Sequence, residues 1–245
     1  MSDIQFEVCL QSVDDVFAAA AGGAQRAELC AALVEGGITP SHATIRDSLA
    51  ADIDVRVMIR PRGGDFDYSA RELDAMERDI EVCRDLGVGG IVLGILTPEG
   101  EVARTQVQRL IRRAGDLPVT FHRAFDVCRD PWAALEQLRD LGVSRILTSG
   151  QRATVPEGAD LIAELVERSG PEITILPGCG ITPENLLEVL RRTGATEFHA
   201  TAFAREDSRM RHRNAEVYMG IPGLPEYERQ VTTAAEVRRF VDQYT

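Results

Sequence analysis

The sequence contains no lysine, so all 27 basic residues are arginine. Schiff-base catalysis and a pyridoxal phosphate linkage both need a lysine amine, and neither is open to this chain. No apolar run approaches the length of a membrane span. Met1-Ser2-Asp3 lacks the basic and apolar regions of a leader, which predicts a cytoplasmic protein with no membrane partner. No Cys-x-x-Cys pair occurs: Cys9, Cys30, Cys83, Cys128 and Cys179 are odd in number and scattered. That pattern fits a reducing compartment better than a disulfide framework or a structural zinc. No long Pro, Ser or Gly linker divides the 245 residues, so 1–245 reads as one domain. The net charge of -12 argues against nucleic acid or an anionic surface as a partner, while a 44% hydrophobic content supplies a sizeable core.

What is present is an alternation of strand and helix signals. Strand patterns occur at Ile4–Leu10, Ala27–Cys30, Val55–Arg60, Gly89–Gly94, Val119–His122, Arg145–Thr148, Ile173–Leu176 and Glu197–Thr201. Between them lie helical patterns, with Ser12 as a cap before an Ala-rich helix closed by Gly22-Gly23 and a helix opening at Thr182-Pro183-Glu184. About thirty residues without clear periodicity, 203–230, precede a last helix, Ala234 to Gln243. Eight strands alternating with helices predict parallel βαβ units, and at this length a closed (β/α)8 barrel. Strand alternation then turns Phe6, Val8, Leu29, Val57, Ile59, Phe121 and Phe198 towards the helices. It turns Glu7, Cys9, Glu28, Cys30, Arg60, His122 and His199 into the lumen.

A lumen usually holds branched apolar side chains, so this many polar groups marks a site. The fifth strand delivers His122, Arg123 and Asp126 at its tip, for chemistry or for a structural Arg123–Asp126 ion pair. Glu7 and Glu28 on neighbouring strands need cations, for which Arg60, Arg62 and Arg123 are the candidates. Two close carboxyls also push one pKa up, giving an acid and an ionised partner. His122 would serve as acid or base near neutral pH, and His199 joins the catalytic candidates. Gly178-x-Gly180 after the seventh strand and Thr201 after the eighth lie where barrels bind oxyanions, with Arg60 and Arg62 as helpers. Cys9 and Cys30 offer two soft thiolates suited to Cu(I), or are simply small buried side chains.

Four stretches in order carry a resemblance: Glu28-Leu29-Cys30, Arg60 to Phe66 (Arg-Pro-Arg-Gly-Gly-Asp-Phe), Thr120 to Asp126 (Thr-Phe-His-Arg-Ala-Phe-Asp) and Leu147-Thr148-Ser149-Gly150-Gln151. With these the sequence resembles the CutC family of copper homeostasis proteins, over roughly Phe6 to Phe203. The resemblance implies a cytoplasmic TIM barrel, commonly a homodimer, that binds Cu(I), and the family's cysteines on its first two strands match Cys9 and Cys30. Gly150 and Gln151, at the end of the fourth stretch, join the candidates for holding a ligand. Copper does not need the Arg, Asp, Glu and His of these stretches. An acid–base barrel enzyme for a small phosphorylated or carboxylated substrate therefore stays open, as does a carrier passing Cu(I) to a partner.

Overall fold

The structure, a computed structural model, describes residues 4–245. Met1, Ser2 and Asp3, on which the expectation of no leader rests, lie outside them. Eight parallel strands form one sheet: β1 (Gln5–Leu10), β2 (Arg26–Leu29), β3 (Asp54–Met58), β4 (Gly90–Leu93), β5 (Val119–Phe121), β6 (Arg145–Thr148), β7 (Thr174–Pro177) and β8 (Glu197–Ala200). Neighbours follow chain order from β1 to β7, and β8 lies against the other side of β1. A parallel bridge between Gly178 and His199 joins β7 to β8, completing a (β/α)8 barrel. The connecting helices are α1 (Val13–Gly22), α2 (His42–Ser48), α3 (Ala70–Leu86), α4 (Arg104–Ala114), α5 (Pro131–Asp140), α6 (Val155–Ser169) and α7 (Leu186–Thr193). Among the described residues no helix is long and apolar enough to cross a membrane.

Local chemistry sets these boundaries. The Ser12 hydroxyl accepts the Asp15 N–H at the start of α1, and Gly23 ends it in the left-handed region at φ 96°. Ser69 and Glu72 form a reciprocal capping box on α3, and Asp130 caps α5 ahead of Pro131. The helix expected from Thr182 starts later, at Leu186. Residues 182–185 form a turn instead, because the Asn185 side chain folds back to accept the Thr182 N–H at 2.8 Å and donate to the Gly180 carbonyl at 2.9 Å.

The apolar strand faces meet the helices as alternation predicts, and Phe6, Val8, Leu29, Val57, Ile59, Phe121 and Phe198 are fully buried. The last helix, α8 (Ala234–Val241), closes over β1 and β8, with Phe240 5.0 Å from Phe6 and 6.0 Å from Phe198 between ring centroids. Inside the barrel a separate apolar cluster gathers Cys9, Cys30, Met58 and Val92.

The 203–230 stretch departs from expectation. Its ends form an antiparallel ribbon of β9 (Phe203–Asp207) and β10 (Glu228–Thr232), which runs into α8. Phe203-Ala-Arg-Glu-Asp207 and Glu228-Arg-Gln-Val-Thr232 are mostly polar on both faces, so no apolar alternation announces them. Backbone pairing and a buried hydrogen bond from the Thr232 N–H to Asp15 of α1, at 2.8 Å, hold the ribbon.

Close backbone packing fixes the exit of β6. Gly150 at φ 72° lies against Gly158 of α6, and a Cβ on Gly158 would overlap the Ser149 carbonyl oxygen. Gly158→Ala is therefore expected to cost about 2–3 kcal/mol, a fall of roughly 5–10 °C in Tm by calorimetry. An unchanged Tm would show that the β6 exit can move away from α6.

Candidate functional site

The lumen is built from side chains two residues apart on neighbouring strands. β1 supplies Glu7 and Cys9, β2 supplies Arg26 and Glu28 with Cys30 just beyond, and β8 supplies Glu197 and His199. Register aligns Glu7 with both Arg26 and His199, and Cys9 with Glu28. Residues distant in sequence thereby stand in layers.

The lowest layer is an ion network. Arg26 binds Glu7 at 2.5 Å and Glu197 at 2.6 Å, and Glu197 is shared with Arg145 at 2.8 Å. Burial pushes the Glu7 carboxyl up, but Arg26 and His199 outweigh it and hold its pKa at about 2. The cations expected for the two glutamates were Arg60, Arg62 and Arg123, and the structure corrects this. Glu7 is answered by Arg26 and by His199, whose Nδ1 lies 2.8 Å from Glu7 Oε1. The three arginines leave the strand ends and are consumed in loops. Arg60 donates to the carbonyls of Glu35, Gly37 and Gly64. Arg62 turns to Glu72 and Asp65, and Arg123 to Asp126 and Ser149. Arg26, Arg145 and Glu197 are absent from the sequence-based candidates. The same two-residue step, Arg26-x-Glu28 and Glu197-x-His199, points to two of them: Arg26 one residue before the expected second strand, and Glu197 at the start of the eighth; Arg145 opens the sixth strand.

Above the network the two carboxyls part company. Burial pushes the Glu28 carboxyl well above the usual range, against the nearby His199 charge, while Glu7 stays ionised. His199 is raised well above an ordinary imidazole: burial works against its charge, but Glu28, Cys9 and Glu7 surround it. The donor atoms of Glu7, Glu28 and His199 lie within 4.8 Å of one another, as do those of Cys9, Glu28 and Cys30. The neighbouring Cys30 thiol and the His199 charge lower the Cys9 pKa below that of an ordinary thiol despite burial, while the Cys30 thiol donates to Glu28 Oε2 at 3.6 Å. The Cys30 pKa goes the other way, because bonding to Cys9 and burial push it well up.

A cavity of about 1310 Å³ opens above this layer at the C-terminal ends of the strands. Cys9, Glu28, Arg60, His122, Arg123, Asp126, His199, Gly180 and Thr201 all line it. Glu7 lies beneath and Cys30 behind, both without solvent exposure. Arg62, Gly150, Gln151 and Gly178 do not line it. Asp126 accepts hydrogen bonds from Thr148 Oγ1 and the Ser149 and Gln151 N–H groups as well as Arg123. Gln151 in turn donates to the Cys128 carbonyl at 2.8 Å. These residues clamp the β5 and β6 exits to each other, the geometry of a structural ion pair at the cavity rim. Gly178 instead packs against His199, where a Cβ would crowd the imidazole.

His122 follows β5 directly. Its Nδ1 accepts the Ala124 N–H at 3.1 Å, which places the ring proton on Nε2. Gly94 makes room for the ring, since a Cβ there would overlap it. Burial, with the Arg60 charge, lowers its pKa to about 3, so His122 is a neutral imidazole rather than the acid or base expected near neutral pH. A depressed histidine adds stability that is complete above its unfolded pKa of about 6.5 and is lost as pH falls towards 3. Relative to wild type, His122→Phe is accordingly expected to gain a few kcal/mol as pH falls from about 7 to 3.5. Urea midpoints across that range measure the difference, and a pH-independent difference would mean that His122 is protonated in the fold.

Comparison with known proteins gives one consistent family. Residues 4–204 match the CutC family. A CutC family protein of Chromobacterium violaceum is 48% identical over 233 residues, 95% of this chain and 94% of that protein. A human copper homeostasis protein cutC homolog is 46% identical over 234 residues, 95% of this chain and 86% of its own length. The crystal structure of the CutC protein from Streptococcus agalactiae superposes with a TM-score of 0.78 at 36% identity, covering 81% of this chain and 98% of that one.

Proposed function

This chain belongs to the CutC family, and from that premise we propose that it binds Cu(I) through Cys9 and Cys30 in the barrel lumen, in the service of copper homeostasis. The observation that carries this reading is the thiol pair, whose two sulfurs and a Glu28 oxygen lie within 4.8 Å of one another. Cu(I) prefers soft thiolates, and the surroundings of Cys9 lower its pKa and so favour the ionised form. Cys9 lines the cavity, so an ion reaching the lumen meets it first. His199 beside it is the nitrogen donor at hand, provided that it gives up its proton as the metal enters. All five cysteines are free, which supports a reducing cytoplasmic setting. The assembly proposed is the homodimer that the family resemblance implies. Titration of the protein with Cu(I) against a chromogenic chelator is expected to show one ion retained per chain; failure to compete with the chelator would overturn the assignment.

A second reading, an acid–base enzyme, is favoured by the size of the cavity, about 1310 Å³, far beyond what one metal ion needs. The opposite displacement of the Glu7 and Glu28 pKa values supports it, since such a split separates an acid from an ionised group. Turnover in a screen of small phosphorylated and carboxylated metabolites, lost in Glu28→Gln, is its test.

A further inference from the structure

Two buried N–H groups in the cavity wall, His122 Nε2 and Arg60 Nε, make no hydrogen bond among the described residues, although the equally unpartnered Tyr68 hydroxyl lies near Arg60. Neither sits in a loose side chain. The His122 ring is pinned through Nδ1, and both terminal nitrogens of Arg60 are spent on the carbonyls of Glu35, Gly37 and Gly64. The two residues are 4% and 5% exposed and stand at the exits of β5 and β3. A buried donor without an acceptor costs about 1–3 kcal/mol, so a protein keeping two of them against one cavity invites an acceptor from outside. The Phe66 ring lies against both, 4.9 Å from the His122 ring and 5.2 Å from the Arg60 guanidinium carbon, and Phe66 itself lines the cavity.

We propose that Arg60 and His122 form a binding pocket for the oxyanion group of a small organic ligand, uncovered when the Phe66 ring turns aside. The guanidinium supplies charge and one N–H, and the imidazole a second N–H. Because His122 is neutral, it offers a donor without adding a second positive charge beside Arg60. Leu33, Met58, Leu147 and Ile181 add apolar surface to a cavity that also holds Glu28, Asp126 and His199, so there is room for a hydrocarbon body behind the charged head. This places the oxyanion at the β3 and β5 exits rather than beside Gly178-x-Gly180. In that turn the Gly178 N–H is spent on the Thr148 carbonyl and the Thr182 N–H on Asn185, and Arg62 faces Glu72 and Asp65. Carboxylate and phosphate share the chemistry that this pair recognises. The pocket does not depend on the thiols; it deepens the enzyme reading by naming where the charged end of a substrate binds.

The experiment measures Tm of the full chain in acetate, butyrate, inorganic phosphate and butyl phosphate, each against chloride at equal ionic strength. Near 100 times Kd, a ligand selective for the folded state is expected to raise Tm by roughly 5–10 °C. Butyrate or butyl phosphate should act at lower concentration than the anion without its chain. Whether the carboxylates or the phosphates act identifies the head group, and either supports the pocket. His122→Phe, which keeps a planar ring but removes both ring nitrogens, is expected to weaken binding roughly 10–100-fold, and its Tm in chloride serves as the baseline because the Ala124 N–H loses its acceptor. In ¹⁵N-labelled wild type the His122 Nε2–H resonance should move on ligand addition. No Tm shift with any of the four anions overturns the pocket, and so does an equal shift in His122→Phe. Binding is read without turnover, so a shift without catalysis keeps the pocket and removes the enzyme reading, whereas turnover without an anion shift does the reverse.

Discussion

Arg26→Met is expected to be the most damaging single substitution in the barrel, lowering stability by about 3–5 kcal/mol and Tm by roughly 10 °C or more. Arg26 is 3% exposed and holds two carboxylates, Glu7 at 2.5 Å and Glu197 at 2.6 Å. Without it Glu197 keeps Arg145, at 2.8 Å, and Glu7 keeps only the His199 imidazole. Glu7 has no solvent exposure, so its charge has nowhere to go but a bound proton. The loss should therefore be largest at neutral pH and shrink below about pH 4.5, where the unfolded chain also protonates this carboxyl. The sign follows from the wild-type pKa of about 2: stability from Glu7 is complete above about 4.5 and disappears as pH falls towards 2. Adding Glu7→Leu to Arg26→Met should recover part of the loss, because a buried pair exchanged for apolar groups is often tolerated. Urea denaturation of the single and double variants makes the comparison. A double variant less stable than Arg26→Met would show that Glu7 serves His199 more than it serves Arg26.

The second large effect concerns the metal. Replacing Cys9 and Cys30 together with serine is expected to weaken Cu(I) binding by more than roughly 100-fold, because changes to groups merely supporting a ligand already cost about 10–100-fold. A hydroxyl is hard and stays protonated where the lowered pKa of Cys9 favours a thiolate. Cys9→Ser alone should be the more harmful single change, since Cys9 is both the member whose pKa is lowered and the one that lines the cavity. Cys30 packs with Met58 and Val92, so Cys30→Ser will also cost some stability, and Tm must be followed alongside. Equal Cu(I) affinity in wild type and the folded double variant would remove copper from these two residues. His122→Phe is the control: it lines the same cavity, yet the thiol pair does not contain it.

These expectations draw on two sources of information. The alternation of eight strand and helix signals, the inward set of Glu7, Cys9, Glu28, Cys30 and His199, and the cap at Ser12 follow from the linear order of residues. They are local, because a strand has a period of two and a cap spans three residues, so neighbours in sequence decide them. The motifs from Arg60 to Phe66 and from Thr120 to Asp126 are likewise contiguous, which is why the family is readable without coordinates. What the linear order does not hold is register across strands. Arg26 meets Glu197 across 171 residues, and only the pairing of β1 with both β2 and β8 brings them together. For the same reason the sequence offered three arginines as partners for two glutamates, and closure of the barrel chose a fourth. Burial, too, is a property of the closed ring: it turns His122 from a group titrating near neutrality into a neutral donor and divides Glu7 from Glu28. The β9–β10 ribbon stays silent in the sequence because its strands pair through backbone and leave most side chains in water. Local periodicity thus decided which residues face the lumen, and the long-range pairing that closes the barrel decided which of them touch and what charge each one carries.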